Sequence, residues 1–237
     1  MISNLTVLKK MLVIGILALF AFVVIGAIFL FNEKNILISE KKSKLVNIVE
    51  LPYSLVESEY KAFTDGKIDE KTAKENAVNA IKKLRYDKTN YIWINDDTLP
   101  HPKMIMHPIA TSLDGKVLNA EKFNCATDLE YANNEIVKTD GKKNLFQSFV
   151  EVVNKGNTGF VGYLWPKPKA DGTNTEELYE KLSYVKKFDK WGWVIGSGIY
   201  IDDVNAEFNQ SLLNIILTVF FVLIVLGLVS YFIVKDI

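Results

Sequence analysis

Residue types that build covalent, metal-bound or nucleophilic sites are scarce in this chain. Its 237 residues include one cysteine, Cys125, and two histidines, His101 and His107. A single cysteine excludes an intrachain disulfide, so packing must hold the folded state together. The histidines show no H-x-H or H-x-x-x-H spacing, and no nucleophile has an evident paired histidine. We therefore expect no metal site, no cofactor and no catalytic residues.

An excess of charge of one sign is also missing. Lysine and arginine together number 28, aspartate and glutamate together number 28, and the formal net charge is zero. Proteins that bind nucleic acid usually carry a basic excess, so we expect no nucleic-acid partner. Nearly all basic residues are lysine, and Arg85 is the only arginine. This makes Arg85 a conspicuous candidate for binding an anion.

Two long apolar stretches explain much of the hydrophobic content of 49%. Residues 11–31 contain no charged side chain, and residues 212–234 are interrupted chiefly by Asn214. As a helix, each stretch would span roughly 30 Å, the thickness of the hydrocarbon core of a membrane. The first stretch is too long for the apolar part of a signal peptide, and no small-x-small cleavage site follows it. We therefore predict two transmembrane helices.

Charges beside the two stretches predict the orientation of the chain. Lys9 and Lys10 precede the first stretch, and Lys235 follows the second. By the positive-inside rule, residues 1–10 and 235–237 are cytoplasmic, although lysines just after the first stretch weaken this indication. The intervening domain is then extracytoplasmic, and its lack of disulfides fits a bacterial periplasm.

Residues 32–207 form this predicted domain, which is large enough for a core of its own. Apolar residues at helical spacing predict helices at 32–64, 69–84 and 143–155. Pro52 should bend the first helix, and Asp69 is a plausible N-cap of the second.

Other segments are rich in β-branched and aromatic residues and are bounded by Gly, Pro or Asp. These features predict strands at 90–96, 103–107, 158–166, 178–188 and 191–201. A polar loop is expected at 167–177, and a last helix should run from about Asp202 into the second apolar stretch. Because the helices and strands are segregated along the chain, we predict an α+β fold with an antiparallel, five-stranded sheet.

Several motifs follow one another in a specific order. They are "LRYDKTNYIWIND" (84–96), "MIMHP" (104–108), "LDGK" (113–116), "GFVGYLWPKP" (159–168) and "KLSYVKKFDKWGWVIGSGIYIDDV" (181–204). In these motifs the chain resembles the single Cache domain, the extracytoplasmic ligand-sensing module of bacterial methyl-accepting chemotaxis proteins and sensor kinases. The resemblance covers most of residues 32–207.

The resemblance implies a PAS-like antiparallel sheet packed on a long N-terminal helix and flanked by two transmembrane helices. It also implies binding of small molecules, often short carboxylates such as acetate, propionate, pyruvate or lactate. Such receptors normally continue into a HAMP segment and a cytoplasmic signalling domain, whereas this sequence stops soon after its second apolar stretch. We therefore expect either a truncated form or a protein that signals through a partner.

A carboxylate ligand needs a cation or several hydrogen-bond donors in a partly dry pocket, and three residues are candidates. Arg85 offers a bidentate fork, although it could instead compensate the C-terminus of the preceding helix. Lys181 could act as a counter-ion, or it could be a solvated lysine at a strand edge. His107 could donate to the ligand or serve only to fix the end of its strand, while His101 is expected to be solvated.

Three aromatic residues complete the predicted ligand site. Tyr91 and Trp93 lie on one face of the first strand and can wall a pocket, unless both belong simply to the core. Tyr163 could supply a hydroxyl donor. Strand parity puts Met104 and Met106 on one face and His107 on the other unless a bulge intervenes.

The leading expectation is a sensor of short carboxylates in the bacterial inner membrane. We expect it to be a homodimer that passes its response to a cytoplasmic signalling partner or domain. Three alternatives stay open: a structural or regulatory membrane protein that binds no ligand, the sensor part of a histidine kinase, and a membrane-tethered enzyme. The lack of a nucleophile–base pair argues against the enzyme.

Overall fold

The computed structural model describes residues 7–87, 89–169 and 173–235 of the chain. Its helices and strands are α1 (Val7–Thr64), α2 (Glu70–Lys82), β1 (Arg85–Tyr86), β2 (Asn90–Asp96), β3 (Met104–Met106), β4 (Asn124–Tyr131), β5 (Ile136–Asn144), α3 (Leu145–Gly156), β6 (Thr158–Pro168), β7 (Asn174–Phe188), β8 (Trp193–Tyr200) and α4 (Ile201–Lys235). The predicted α+β class and the long N-terminal helix are confirmed.

The chain divides into two compact units. One is Glu40–Asp202, which contains all the strands, and the other combines the described parts of Met1–Ser39 and Asp203–Ile237. Within the described residues, α1 and α4 are long and apolar enough to cross a membrane. They include the two apolar stretches of the sequence, while the predicted limits of the extracytoplasmic domain, 32 and 207, stay a prediction.

In the described residues the strands form one antiparallel sheet in the order β1-β2-β8-β7-β6-β4-β5, and β3 pairs with β2. The antiparallel arrangement is as predicted, but the predicted number of five strands is wrong, because the described sheet has eight. The two-residue β1 and the hairpin of β4 and β5 were not predicted from the sequence. Strand β5 lies at the sheet edge with mostly exposed side chains, so it lacks the apolar alternation of a half-buried strand.

The polar segment 167–177 was also predicted wrongly in part. Strand β6 continues to Pro168 and β7 already begins at Asn174, so both strands extend into the segment that was expected to be a loop. Residues 170–172 lie outside the described part of the chain. The extended hairpin of β6 and β7, called the β6–β7 arm below, carries residues that line the candidate site.

The sheet is covered by α3 on one face and by α1 on the other. Helix α3 buries its predicted apolar stripe, Leu145, Phe146, Phe149, Val150 and Val153. On this face Trp93 packs against Phe149, with ring centroids 5.1 Å apart. On the opposite face, Lys186 of β7 forms an ion pair with Glu50 of α1 at 2.7 Å. The candidate ligand site belongs to the face that α3 covers.

Side-chain capping fixes the ends of α2 and α3. The Asp69 carboxylate accepts the Thr72 amide at 2.8 Å, which confirms the predicted N-cap of α2. The Asn144 side chain accepts two amides in the first turn of α3, and Asn157 ends this helix in the left-handed region at φ 68°. Arg85 lies three residues after the last residue of α2, and β6 begins directly after the Asn157 cap of α3.

Candidate functional site

Lys181 is a buried cation with no carboxylate partner among the described residues. Its side chain is 2% exposed, and Nζ donates to the Tyr91 hydroxyl at 3.2 Å. Nζ also lies 4.4 Å from the Tyr91 ring centroid and 4.7 Å from that of Tyr200. Burial lowers the pKa of Lys181 from 10.5 to about 7, because no nearby negative charge offsets the loss of water. An anion bound here would supply the missing charge.

The register of the sheet explains how this lysine is accommodated. On β7, Lys181 lies between Tyr163 of β6 and Tyr200 of β8. The next β8 residue on the same face is Gly198, which pairs with Ser183. A Cβ at Gly198 would lie 3.0 Å from Lys181 Cε and 2.1 Å from Ser183 Oγ. Glycine at this position therefore leaves the space that the lysine side chain occupies.

Tyr91 is the central hydroxyl of the site. Its oxygen accepts a hydrogen bond from Lys181 Nζ, which leaves its own proton to be donated. Burial raises the pKa of Tyr91 well above its ordinary value, so the hydroxyl stays protonated at neutral pH. Tyr163 is also buried, and its hydroxyl lies 2.8 Å from Ser183 Oγ.

His107 lies beside Tyr91, with ring centroids 4.8 Å apart, and is 3% exposed. Its Nδ1 accepts the backbone amides of Ile109 and Ala110 at 3.3 and 2.8 Å. A neutral imidazole whose Nδ1 accepts carries its proton on Nε2, so Nε2 is the donor atom. Burial, followed by the charges of Lys181 and Arg85, lowers the pKa of His107 to about 3. The ring is therefore a neutral donor at physiological pH.

Strand β3 ends one residue before His107, rather than including it as predicted. A register shift in the pairing of β2 with β3 places Met106 opposite Ile94 and Met104 opposite Asn95. Since consecutive residues of β2 face opposite sides, this bulge separates the two methionines that strand parity put on one face. The regular alternation that put His107 on the face opposite both methionines therefore does not hold.

Two predicted ligand residues lie outside this cluster. Arg85 is exposed, and its Nη1 donates to the carbonyls of Lys82 and Leu84 at 2.8 and 2.7 Å, as in the helix-end alternative. Trp93 is buried in the core, where its indole N–H donates to Asn95 Oδ1 at 3.0 Å. The structure thus brings together Tyr91, His107, Tyr163 and Lys181 of the six predicted residues.

A cleft of about 490 Å³ lies next to the buried cluster. The segment 109–113, which follows His107, forms one wall, and residues 164–166, 174 and 178 of the β6–β7 arm form another. Lys122 and Phe123 complete the lining. Trp165 belongs to both the cleft and the cluster, because it lines the cleft and its ring centroid lies 5.9 Å from that of Tyr163 and 6.5 Å from that of His107. This volume is in the range of small-molecule sites.

Sequence reasoning missed Trp165 and Tyr200 as members of the site. Trp165 could have been found from its spacing, since it lies two residues after Tyr163 on the same strand and therefore on the same face. Tyr200 reaches Lys181 only through the register of β7 and β8, which the sequence alone did not provide. In the part of the chain that the structure describes, no group of three or more His, Cys, Asp or Glu side chains could hold a metal ion.

This arrangement combines an antiparallel sheet with a buried cation and several hydrogen-bond donors beside a cleft, which are the features of a small-molecule binding site. The profile of the Cache domain family matches residues 24–221, and the chain belongs to this family.

Two relatives extend the comparison. The chain is 31% identical over 211 residues to the methyl-accepting chemotaxis protein McpP of Pseudomonas putida, an alignment that covers 89% of this chain and 34% of McpP. It is 27% identical over 179 residues to the sensor histidine kinase MctS of Rhizobium johnstonii, covering 74% of this chain and 32% of MctS. The chain therefore spans about a third of the length of these relatives.

Solved structures show the same fold. A periplasmic sensor domain of a chemotaxis protein has 35% sequence identity and a TM-score of 0.55, covering 69% of this chain and 97% of that one. A Cache chemosensory domain described for its recognition of carboxylic acids has 29% identity and a TM-score of 0.57, covering 70% and 97%. The chain thus carries a Cache sensor domain of the type found in chemotaxis receptors and sensor kinases.

Proposed function

We propose that this chain is a membrane-anchored, extracytoplasmic sensor of a short carboxylate of the acetate, propionate, pyruvate or lactate class. The observation that carries the proposal is Lys181, a buried cation without a described carboxylate partner, held beside Tyr91. Carboxylic acid recognition by a related Cache domain with 29% identity supports the ligand class.

In this proposal, three donors converge on the ligand. The Lys181 ammonium supplies the charge, the Tyr91 hydroxyl donates its remaining proton, and His107 donates from Nε2. A carboxylate has two oxygens and about four lone pairs, so it can accept all three bonds. Charge-assisted bonds in a site with little water are stronger than neutral ones, which favours an anion over a neutral ligand of similar size.

The same proposal gives the site a place in signalling. Strand β8 carries Tyr200 of the site, and α4 begins at the next residue, Ile201. A ligand that binds one arrangement of β8 more tightly would shift the population of arrangements at the start of α4. We place the sensor domain outside the inner membrane, and we assign the output to a homodimer with a cytoplasmic partner or signalling domain. No catalytic role is proposed.

A sensor-kinase output is the second candidate, and the similarity to MctS over 74% of this chain favours it. The two outputs differ in what the ligand changes. Fusion of this chain to a chemoreceptor signalling domain or to a kinase core should yield ligand-dependent swimming behaviour or autophosphorylation. The fusion that responds to the carboxylate identifies the compatible output.

Calorimetry on the full chain in lipid nanodiscs tests the ligand proposal. We expect binding of at least one short carboxylate and a loss of affinity of at least tenfold in Lys181→Met, since the ligand loses its counter-charge. The matched control is Lys142→Met, which removes an exposed lysine of β5 and should leave affinity unchanged. Absence of binding across the whole acid panel, or equal affinities in the two variants, would contradict the proposal.

A further inference from the structure

Trp165 connects the buried cluster with the cleft. Its ring centroid lies 5.9 Å from that of Tyr163 and 6.5 Å from that of His107. The same ring stacks against Phe123 at 6.3 Å and lines the cleft. Tyr91, His107 and Lys181 are 4% exposed or less, whereas Trp165 is only partly buried. Trp165 therefore covers the cluster on the side of the cleft.

We infer that Trp165 limits the length of the carboxylate that this chain accepts. The inference rests on the proposed carboxylate site, because the ligand is anchored by its charged end at Lys181. With that end fixed in the buried cluster, a longer ligand gains room by extending into the cleft, and Trp165 lies between the cluster and the cleft. The cleft beyond the indole has about 490 Å³, which is ample for additional methylene groups.

The lining of the cleft indicates which longer ligands the site would take without the indole. Leu113, Phe123 and Leu178 present apolar surface there. An alkyl chain would bury its methylenes against this surface, and each buried methylene should raise affinity about fourfold, the equivalent of ~0.8 kcal/mol. The specificity of the natural site for short acids thus depends on one side chain rather than on the anchoring residues.

Calorimetry with a series of straight-chain acids, from acetate to hexanoate, tests this inference on the full chain in nanodiscs. The wild type should bind the short acids best and lose affinity once the chain outgrows the space beside Trp165. In Trp165→Ala, affinity should instead rise about fourfold per added methylene up to hexanoate. If Trp165→Ala does not melt cooperatively, Trp165→Leu serves in its place and should shift the optimum by at least one carbon.

Two control variants separate the effect of side-chain size at position 165 from other effects of the substitution. Ile136→Ala removes an exposed aliphatic side chain of β5 that does not line the cleft, and it should keep the wild-type preference. Trp165→Phe keeps an aromatic ring but removes the indole N–H, and it should also retain the preference for short acids. A shift in Trp165→Phe as large as that in Trp165→Ala would attribute selectivity to the indole N–H and overturn the inference.

The failures of the two proposals are distinguishable. If the wild type binds no acid of the series, the proposed carboxylate function fails and this inference fails with it. If the wild type binds short acids and Trp165→Ala shows the same chain-length profile, the carboxylate site stands and the role of Trp165 is refuted.

Discussion

At the scale of the residue, Lys181 couples ligand binding to protonation. Because its pKa is lowered to about 7, the free site carries its positive charge only partly at neutral pH. A bound carboxylate would raise this pKa, since an adjacent opposite charge favours the protonated form. Binding above pH 7 must therefore take up a proton. His107, with a pKa of about 3, stays neutral over the same pH range.

The affinity for a short carboxylate should consequently depend on pH in one direction. Between pH 5 and 7 the acid is ionised and Lys181 is largely protonated, so we expect a nearly constant affinity. Above pH 7 the affinity should fall by up to tenfold per pH unit, because the cationic form becomes scarce. Calorimetry from pH 5 to 9 measures this, and a constant affinity across the whole range would refute the charge-dependent anchor.

The same lysine should make the ligand-free protein less stable at low pH. Below pH 7 Lys181 is charged in both the folded and unfolded states, and folding pays its full desolvation. Between pH 7 and 10.5 the folded state loses the proton while the unfolded state keeps it. The unfolded state then binds more protons, so the stability of the folded state rises with pH.

Lys181→Met should therefore be more stable than the wild type at pH 6, where the buried charge is removed by the substitution. This advantage should shrink by roughly 1.4 kcal/mol per pH unit above pH 7. Comparison of thermal melting for the two proteins without ligand, from pH 6 to 9, checks both the sign and the trend. A wild type that is the more stable protein at pH 6 would show that Lys181 has an unrecognised stabilising partner.

Residue chemistry predicted part of the site and misjudged part of it. Lys181 and His107 were identified because a carboxylate needs donors, and the structure places both beside Tyr91. Trp93 is an aromatic residue on the same face of β2 as Tyr91, yet it packs against Phe149 in the core. Periodicity predicts which face of the sheet a side chain occupies. Whether that side chain lines the site or packs in the core depends on the neighbouring strands. Register, which the sequence does not display, therefore decided the outcome.

At the scale of the element, β8 owes its close approach to β2 and β7 to two glycines. A Cβ at Gly196 would lie 2.3 Å from Trp93 Cζ2, while a Cβ at Gly198 would meet Ser183 Oγ at 2.1 Å. The first contact involves a rigid indole of the core. The second involves a residue that neighbours the carboxylate anchor. The two positions therefore test packing and ligand binding separately.

Gly196→Ala and Gly198→Ala should both lower the melting temperature, because overpacking a core costs about 1–3 kcal/mol. Only Gly198→Ala should also weaken carboxylate binding by about tenfold, since the new methyl group displaces Ser183 and the Lys181 side chain. Gly196→Ala serves as the matched control and should retain affinity. Parallel melting and calorimetry measure both effects; equal losses of affinity in the two variants would contradict a local action of Gly198.

Elements with a strong pattern were predictable, and those without one were not. Helices α2 and α3 were found within two residues of their observed ends, because each has an amphipathic stripe. The hairpin of β4 and β5 was missed, since β5 is largely exposed and rich in polar residues. The pairing of β5 depends on its contacts with the neighbouring strand β4. Those contacts do not produce a regular alternation of apolar and polar residues in the sequence.

At the scale of the whole molecule, the orientation of the chain decides whether the site can sample external solutes. The proposal requires Glu40–Asp202 to lie outside the cytoplasm, while residues 1–10 are predicted to lie inside. The single cysteine makes this measurable. Cys125 is partly buried, and burial raises the pKa of its thiol to about 11, so we expect it to react slowly with maleimides. Cys125→Ser removes even this background.

In the Cys125→Ser protein, Lys142→Cys places a thiol on the exposed side of β5, and Lys10→Cys places one in the predicted cytoplasmic end. A membrane-impermeant maleimide applied to intact cells should label position 142 and leave position 10 unlabelled. After permeabilisation both positions should react, which shows that each thiol is accessible. Labelling of position 10 alone in intact cells would reverse the orientation. The carboxylate site would then face the cytoplasm, where it could report only on internal metabolites.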